Sequence, residues 1–282
     1  MIPFRKMNGL GNDFVVIDAR KRSFDLSGAR IRELARRDSG IGFDQFIMLT
    51  PAPSPDAAAT MRIVNADGGE VEACGNAARC VAALLLDETQ APAVQIDSLG
   101  GSMKAWRSGS RIAVDMGVPA FGAADIPLAD VSQDAQSVMV DGFSERFGPA
   151  ACVNIGNPHA VFFVEDVASV PLADVGPALE THALFPQRAN ISFAQIDGNV
   201  ITARVWERGV GATRACGTAA CAIGALAHRL GRTGPAVTVH LPGGPLAIDV
   251  SGGRVVMEGP YALDYVGAIT DEGFVKDPFA AA

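Results

Sequence analysis

Two cysteines in matched settings carry the most chemistry in this chain. Residues 204–226 read RVWERGVGATRACGTAACAIGAL and residues 62–84 read RIVNADGGEVEACGNAARCVAAL. An offset of 142 brings Arg62 onto Arg204, Gly69 onto Gly211 and Ala73-Cys74-Gly75 onto Ala215-Cys216-Gly217 without a gap. Each copy reads as a strand, a Gly-rich turn, a cysteine and an Ala/Leu-rich helix. Cys74 and Cys216 are then expected at helix N-termini, where unpaired N–H groups and the helix dipole favour an anion. A thiol there can have its pKa lowered from about 8.5 into the range of roughly 3.5–7.5. If the halves pack face to face, one thiolate can remove an α-proton from one side of a carbon while the other thiol delivers a proton to the opposite side. Such a near-symmetric pair suits a reversible racemase or epimerase. The developing negative charge must be held, and the N–H groups of Gly75, Asn76, Gly217 and Thr218 are placed to grip an α-carboxylate. This chemistry requires neither metal nor pyridoxal phosphate, and no lysine sits in a cofactor-anchor motif.

The elements that position these cysteines also come twice. Phe14–Ile17 reads as a strand after the turn Asn8–Asp13, and Asn154–Val164 repeats that turn and strand. Ser27–Arg37 reads as a helix with Ser27 as N-cap; in the second half, Pro177–Leu184 is the expected helix. Strands are expected near residues 46–49, 61–64, 94–97, 101–106 and 111–116, then near 190–193, 202–206, 237–241, 246–250 and 254–258. Residues 51–60 read as a surface loop and 117–135, rich in Pro, Ala and Asp, as the crossing between halves. Residues 261–275 carry apolar runs that could return to the first half, and 278–282 read as a loose tail. The expected fold is α+β: two pseudo-symmetric domains, each a mostly antiparallel sheet around a central helix, with the site in the cleft between them. The expected domains are 1–117 plus 262–282, with the Cys74 motif, and 118–261, with the Cys216 motif.

Composition narrows the function classes. The 282 residues are 49% apolar and 19% charged, with a net charge of −8. That balance disfavours nucleic acid or an anionic membrane surface as partner. No run approaches the ~20 apolar residues of a membrane span, and residues 1–14 carry no signal-peptide pattern. Five cysteines without dense spacing do not make a disulfide scaffold, so a soluble protein of a reducing cytoplasm is expected. Cys80, Cys152 and Cys221 read as packing residues, Cys152 just ahead of a strand. The Cys74/Cys80 and Cys216/Cys221 spacings do not form a zinc knuckle, and GLGNDF lacks the context of a dinucleotide loop. Asp13 and Glu70 read as turn or capping groups.

The segments MNGLGNDFVVID (7–18), GFDQ (42–45), VNADGGEVEACGNAARC (64–80), NIGNPHAV (154–161), RANIS (188–192) and WERGVGATRACGTAACA (206–222) together resemble the diaminopimelate epimerase family, in the family's order over nearly the whole chain. The resemblance implies cofactor-independent interconversion of LL- and meso-diaminopimelate for lysine and peptidoglycan precursor synthesis, with Cys74 and Cys216 as the acid/base pair. It implies Asn12, Gln45, Asn65, Asn157, Asn190, Glu207 and Arg208 as substrate contacts, and Gly75, Asn76, Gly217 and Thr218 as carboxylate-binding positions. It further implies His159 and Glu207 as groups that tune the thiols, and Tyr265 at a homodimer contact. Ala77 and Ala219 stand where the family often has Gly, and Ala212 where it often has an acidic residue. The same fold also admits a proline- or hydroxyproline-racemase-like enzyme, although Cys74-Gly75-Asn76 departs from the Cys-Gly-His usual there. A redox or metal-binding module using the same thiols is the reading from another class. Two thiols that share one α-carbon are also expected to bridge on oxidation.

Overall fold

The computed structural model describes residues 1–24, 26–72 and 74–277; the expected loose tail at 278–282 lies outside them. The chain divides into two compact units, Met1–Val114 with Gly259–Ala282, and Asp115–Glu258.

In the first unit, β1 (Ile2–Gly9) and β2 (Asn12–Asp18) form an antiparallel hairpin. Its turn needs positive φ at both central residues, Leu10 (60°) and Gly11 (79°), a combination that suits tight hairpin loops. Helix α1 (Gly28–Ala35), capped by the Ser27 hydroxyl, crosses over to β3 (Gln45–Thr50), which runs parallel to β2. β4 (Ala59–Asn65) returns antiparallel and turns into the short β5 (Glu70–Val71). Helix α2 (Gly75–Thr89) leads to β6 (Ala93–Ser98), parallel to β4, followed by antiparallel β7 (Gly101–Ser108) and β8 (Arg111–Asp115). Helix α2 is buried almost all round, from Gly75 to Ala83, against β1, β2, β6 and β7. Its small side chains let the sheet curl closely around it.

The second unit opens with a segment through α3 (Ser144–Phe147) and repeats the pattern: β9 (Ala150–Asn154) with β10 (Pro158–Phe163), α4 (Leu172–Glu180), then β11 (Asn190–Asp197) parallel to β10. β12 (Val200–Glu207) and β13 (Gly211–Thr213) follow, then α5 (Gly217–Arg229), β14 (Ala236–Leu241) parallel to β12, β15 (Gly244–Asp249) and β16 (Val256–Gly259). The chain finishes in the first unit, where β17 (Ala262–Thr270) pairs with β1 and carries β18 (Gly273–Lys276).

Pairing order and sense match strand for strand between β1–β8 and β9–β16, so the sequence repeat is a structural repeat. The registers agree in detail: Phe14 faces Gln45 as His159 faces Asn190, each pair related by an offset of 145.

Four local expectations are corrected. The second-half helix is Leu172–Glu180 and not Pro177–Leu184. Pro177 reads as a helix start, yet it lies inside, and Pro171 is the N-cap. Residues 117–135 are not a bare crossing: Ile126, Leu128 and Ala135 are buried in the second unit's core beside Leu179, Phe185 and Phe193. Ala59 and Thr60, read as loop, begin β4, and Cys152 lies within β9.

Candidate active site

Each cysteine motif forms the same local structure. Cys74 has extended backbone (φ −148°, ψ 108°) and is the N-cap of α2; Cys216 (φ −123°, ψ 110°) is the N-cap of α5. Their carbonyls accept the first helical bonds, from Ala78 N–H at 2.9 Å and Ala220 N–H at 3.1 Å. The extended residue leaves the sulfur beside the free end of the helix, with Gly75 and Gly217 as the first helical residues, where a side chain would crowd an approaching anion.

In the first unit, Asn12 Oδ1 lies 3.9 Å from the Cys74 sulfur and accepts from Asn76 Nδ2 at 3.4 Å. Asn12 Nδ2 donates to Asp44 at 3.0 Å, and Asp44 is in turn held by Arg37. Gln45 Nε2 donates to Asn65 Oδ1 at 3.0 Å, while Gln45 Oε1 is buried with no hydrogen-bond partner among the described residues. That carbonyl is a ready acceptor for an ammonium or other donor, since an unmet buried acceptor costs free energy. Asp13, read as a turn or capping group, also pairs with Lys6 at 3.0 Å and Arg37 at 2.6 Å; burial raises its carboxyl, and the bonds from these two cations outweigh burial and hold it below the usual range. Glu70 pairs with Arg62. Tyr265, on β17 of this unit, packs edge-on against Phe4 with Lys276 over its ring.

The second unit gathers Asn157, His159, Asn190, Glu207, Arg208, Cys216, Gly217 and Thr218. His159 is fully buried, with Nε2 2.8 Å from Asn157 Oδ1 and Nδ1 without a hydrogen-bond partner among the described residues. Burial, and secondarily the Arg208 charge, push its pKa down to about 3, so the imidazole is neutral. Asn190 is a brace: Nδ2 donates to Pro158 O at 3.0 Å, and Oδ1 accepts from Arg208 N–H at 3.0 Å. Arg208 donates to Gln187 O at 3.3 Å, and among the described residues no carboxylate lies within ion-pair distance of it. Its charge is therefore available to an anion.

Around Cys216 the electrostatics run against one sequence expectation. The thiol is pushed well up: by burial first, then by the Glu207 charge, against smaller opposing effects of the Thr218 hydroxyl at 3.5 Å and the Ala219 N–H. Helix position alone would lower it, but here burial outweighs the hydrogen bonds from Thr218 and the Ala219 N–H. Glu207 is also pushed up by burial, while hydrogen bonds from Thr213 and Cys216 pull it back. Thr213, whose hydroxyl donates a short bond to Glu207 Oε1, is a site residue that sequence reasoning missed. Its position three residues before Cys216, on the strand facing β12, was the available signal. Cys80 and Cys152 are buried thiols with pKa raised to about 12, as packing cysteines should be. Cys221 is buried on α5.

Comparison with known proteins adds the following. The family profile described as diaminopimelate epimerase matches residues 4–122 and 151–263. A diaminopimelate epimerase of Erythrobacter litoralis is 48% identical over 94% of this chain and 96% of its own length. Two solved structures share the fold: a predicted epimerase from Pseudomonas aeruginosa (TM-score 0.68, 20% identity, 94% of this chain and 98% of the other) and a hydroxyproline epimerase from Agrobacterium vitis (TM-score 0.66, 15% identity, 99% and 94%). The two-unit repeat, the paired cysteine N-caps and these matches lead to one assignment: the chain belongs to the diaminopimelate epimerase family.

Proposed function

We propose that this protein is a diaminopimelate epimerase acting by proton transfer between two thiols, with no cofactor. The observation that carries the mechanism is the placement of Cys74 and Cys216 as N-caps of two repeat-related, buried helices. One sulfur takes the α-proton as the other gives its proton to the opposite face of the α-carbon; the charge left on the carbon spreads into the α-carboxylate. Gly75, Asn76, Gly217 and Thr218 supply the helix-terminal amides that hold that carboxylate. Burial and the Glu207 charge push the Cys216 thiol up and so favour its protonated form, with Glu207 as its hydrogen-bond acceptor.

The second amino-acid head of the substrate needs fixed polar groups of its own. Arg208, with no carboxylate partner among the described residues, suits the distal carboxylate in a bidentate pair. Asn12, Gln45, Asn65, Asn157 and Asn190 complete the polar set, with the unpartnered Gln45 carbonyl as one ammonium acceptor. His159 is the neutral group that tunes a thiol. The same reading makes this a cytoplasmic homodimer of lysine and peptidoglycan precursor synthesis, with Tyr265 at the contact. No helix among the described residues is long and apolar enough to cross a membrane.

Cys74→Ala and Cys216→Ala should each lower turnover of LL-diaminopimelate by at least about 1,000-fold while leaving the circular dichroism spectrum unchanged, because two-base inversion needs both groups. Full activity in either variant sinks the two-thiol mechanism.

A further inference from the structure

We infer that Glu180 is a positioning residue that shapes the 207–211 turn so that Arg208 is presented to the distal carboxylate of the substrate. This deepens the proposed function and rests on its assignment of Arg208.

Glu180 is the last residue of α4, where a negative charge opposes the helix dipole. It is also only 6% exposed. A buried acid in so unfavourable a place needs specific partners, and it has them on the site's own turn. Oε2 accepts from the Trp206 indole N–H at 2.8 Å and Oε1 from the Gly209 N–H at 2.8 Å, with Arg188 3.5 Å from Oε1. The two anchored residues flank Glu207 and Arg208. The turn is closed by the Val210 N–H on Glu207 O at 3.1 Å, and the carboxylate adds a second tie at Gly209, whose left-handed φ of 75° marks the most permissive point of the turn.

The repeat shows what Glu180 replaces. An offset of 142 carries Asp67 onto Gly209 and Val64 onto Trp206, and an offset of 145 carries Ile31 onto Gly176 and Ala35 onto Glu180. In the first unit the carboxylate is the turn's own, with Gly69 N–H donating to Asp67 Oδ1 at 2.8 Å, while Arg32 on α1 donates to Asp67 O at 3.0 Å. The second unit has Gly209 where the first has Asp67, and α4 supplies the carboxylate that receives the turn's N–H. The packing changed to match: Ile31 and Val64 lie in one core cluster, whereas Gly176 leaves room for the Trp206 ring, which a Cβ there would meet at 2.6 Å. The acid also pairs with Arg188 and not with Arg208, so the cation intended for substrate is not neutralised within the protein.

Glu180→Gln is informative because it is not conservative here. The two N–H donors sit on different carboxylate oxygens, and in the amide one of those oxygens becomes an NH₂ that faces a donor. Expected is a rise in the KM for LL-diaminopimelate of about tenfold, kcat within about threefold of wild type, and faster hydrogen exchange in residues 207–211. Trp206→Phe removes one donor, so Glu180→Gln/Trp206→Phe should recover to within about threefold of Trp206→Phe alone. Effects that simply multiply, or a loss confined to kcat, overturn the proposal. Should Glu180→Gln not fold, Trp206→Phe alone is expected to raise KM about threefold and loosen the turn in exchange, and no change in both overturns it. Wild-type protein inert toward LL-diaminopimelate would instead refute the proposed function, and exchange in 207–211 would still decide whether Glu180 holds the turn.

Discussion

The protonation of the Cys216 cluster is set by burial against a few hydrogen bonds, and that balance is open to test. Burial raises Glu207, and the Thr213 hydroxyl lowers it. Removing the hydroxyl with Thr213→Val should raise the Glu207 pKa further. The acid limb of the kcat/KM profile should then move to higher pH, with kcat down by roughly three- to tenfold; a superimposable profile would remove Thr213 from the site. His159 makes a separate prediction about stability. Its folded pKa of about 3 lies below its ordinary 6.5, so below pH 6.5 the unfolded chain binds a proton that the folded chain does not. Stability is therefore full above pH 6.5 and falls toward pH 3, by up to about 1.4 kcal/mol per pH unit. Denaturant midpoints at pH 7.5, 6 and 5 should fall more steeply in wild type than in His159→Gln. Parallel curves would mean that the ring is not buried neutral. The role of His159 was suggested by its NPH setting, whereas its desolvation depends on packing that no local pattern records.

At the scale of elements, the repeat made much of the fold readable in advance. Gly-rich turns before Cys74 and Cys216 and the Ala-rich runs after them mark α2 and α5, and their near-total burial follows from those small side chains. Helix α4 was misplaced because Pro177 reads as a start signal; the 145 offset from α1, which brings Ala35 onto Glu180, held the correct answer. Strand β1 was hidden because Asn8 and Gly9 read as turn, although the turn needs only Leu10 and Gly11. The repeats differ inside the central helix, where Ala82 is matched by Gly224. A Cβ at Gly224 would lie 2.8 Å from Ile248 Cγ2 and 3.2 Å from Val237 Cγ2. Alanine there gains about 1 kcal/mol of helix propensity, but overpacking costs about 1–3 kcal/mol. Gly224→Ala should therefore destabilise the protein, by up to about 2 kcal/mol in chemical denaturation; a stabilised variant would show that β15 yields easily.

Taken as a molecule, the chain is a duplicated unit whose copies protect one face in different ways. In the first unit β17 and β18 bring Tyr265, Ile269 and Phe274 onto the core around Ile31 and Leu34. In the second unit the 117–148 segment brings Ile126, Leu128 and Val138 onto the core around Leu179. The first cover was legible, since residues 261–275 read as apolar runs returning to the first half; the second was not, because the short apolar runs of 117–148 between prolines and aspartates lack the periodicity of a strand or helix. The candidate site was more legible than its supports. Cysteines, glycines and asparagines stand in motifs, whereas Glu180 and Thr213 matter through partners that only the fold brings to them.

The central claim is two-thiol epimerisation, and proton NMR of LL-diaminopimelate with reduced enzyme in D₂O, in the presence of a chelator, tests it most directly. The account predicts meso product carrying deuterium at the inverted α-carbon, while unreacted LL substrate stays protonated early in the reaction, because the proton taken by one sulfur is not the one delivered by the other. Early deuterium in recovered LL substrate would contradict two separate bases, and no turnover would contradict the substrate itself, with hydroxyproline and proline the next to try.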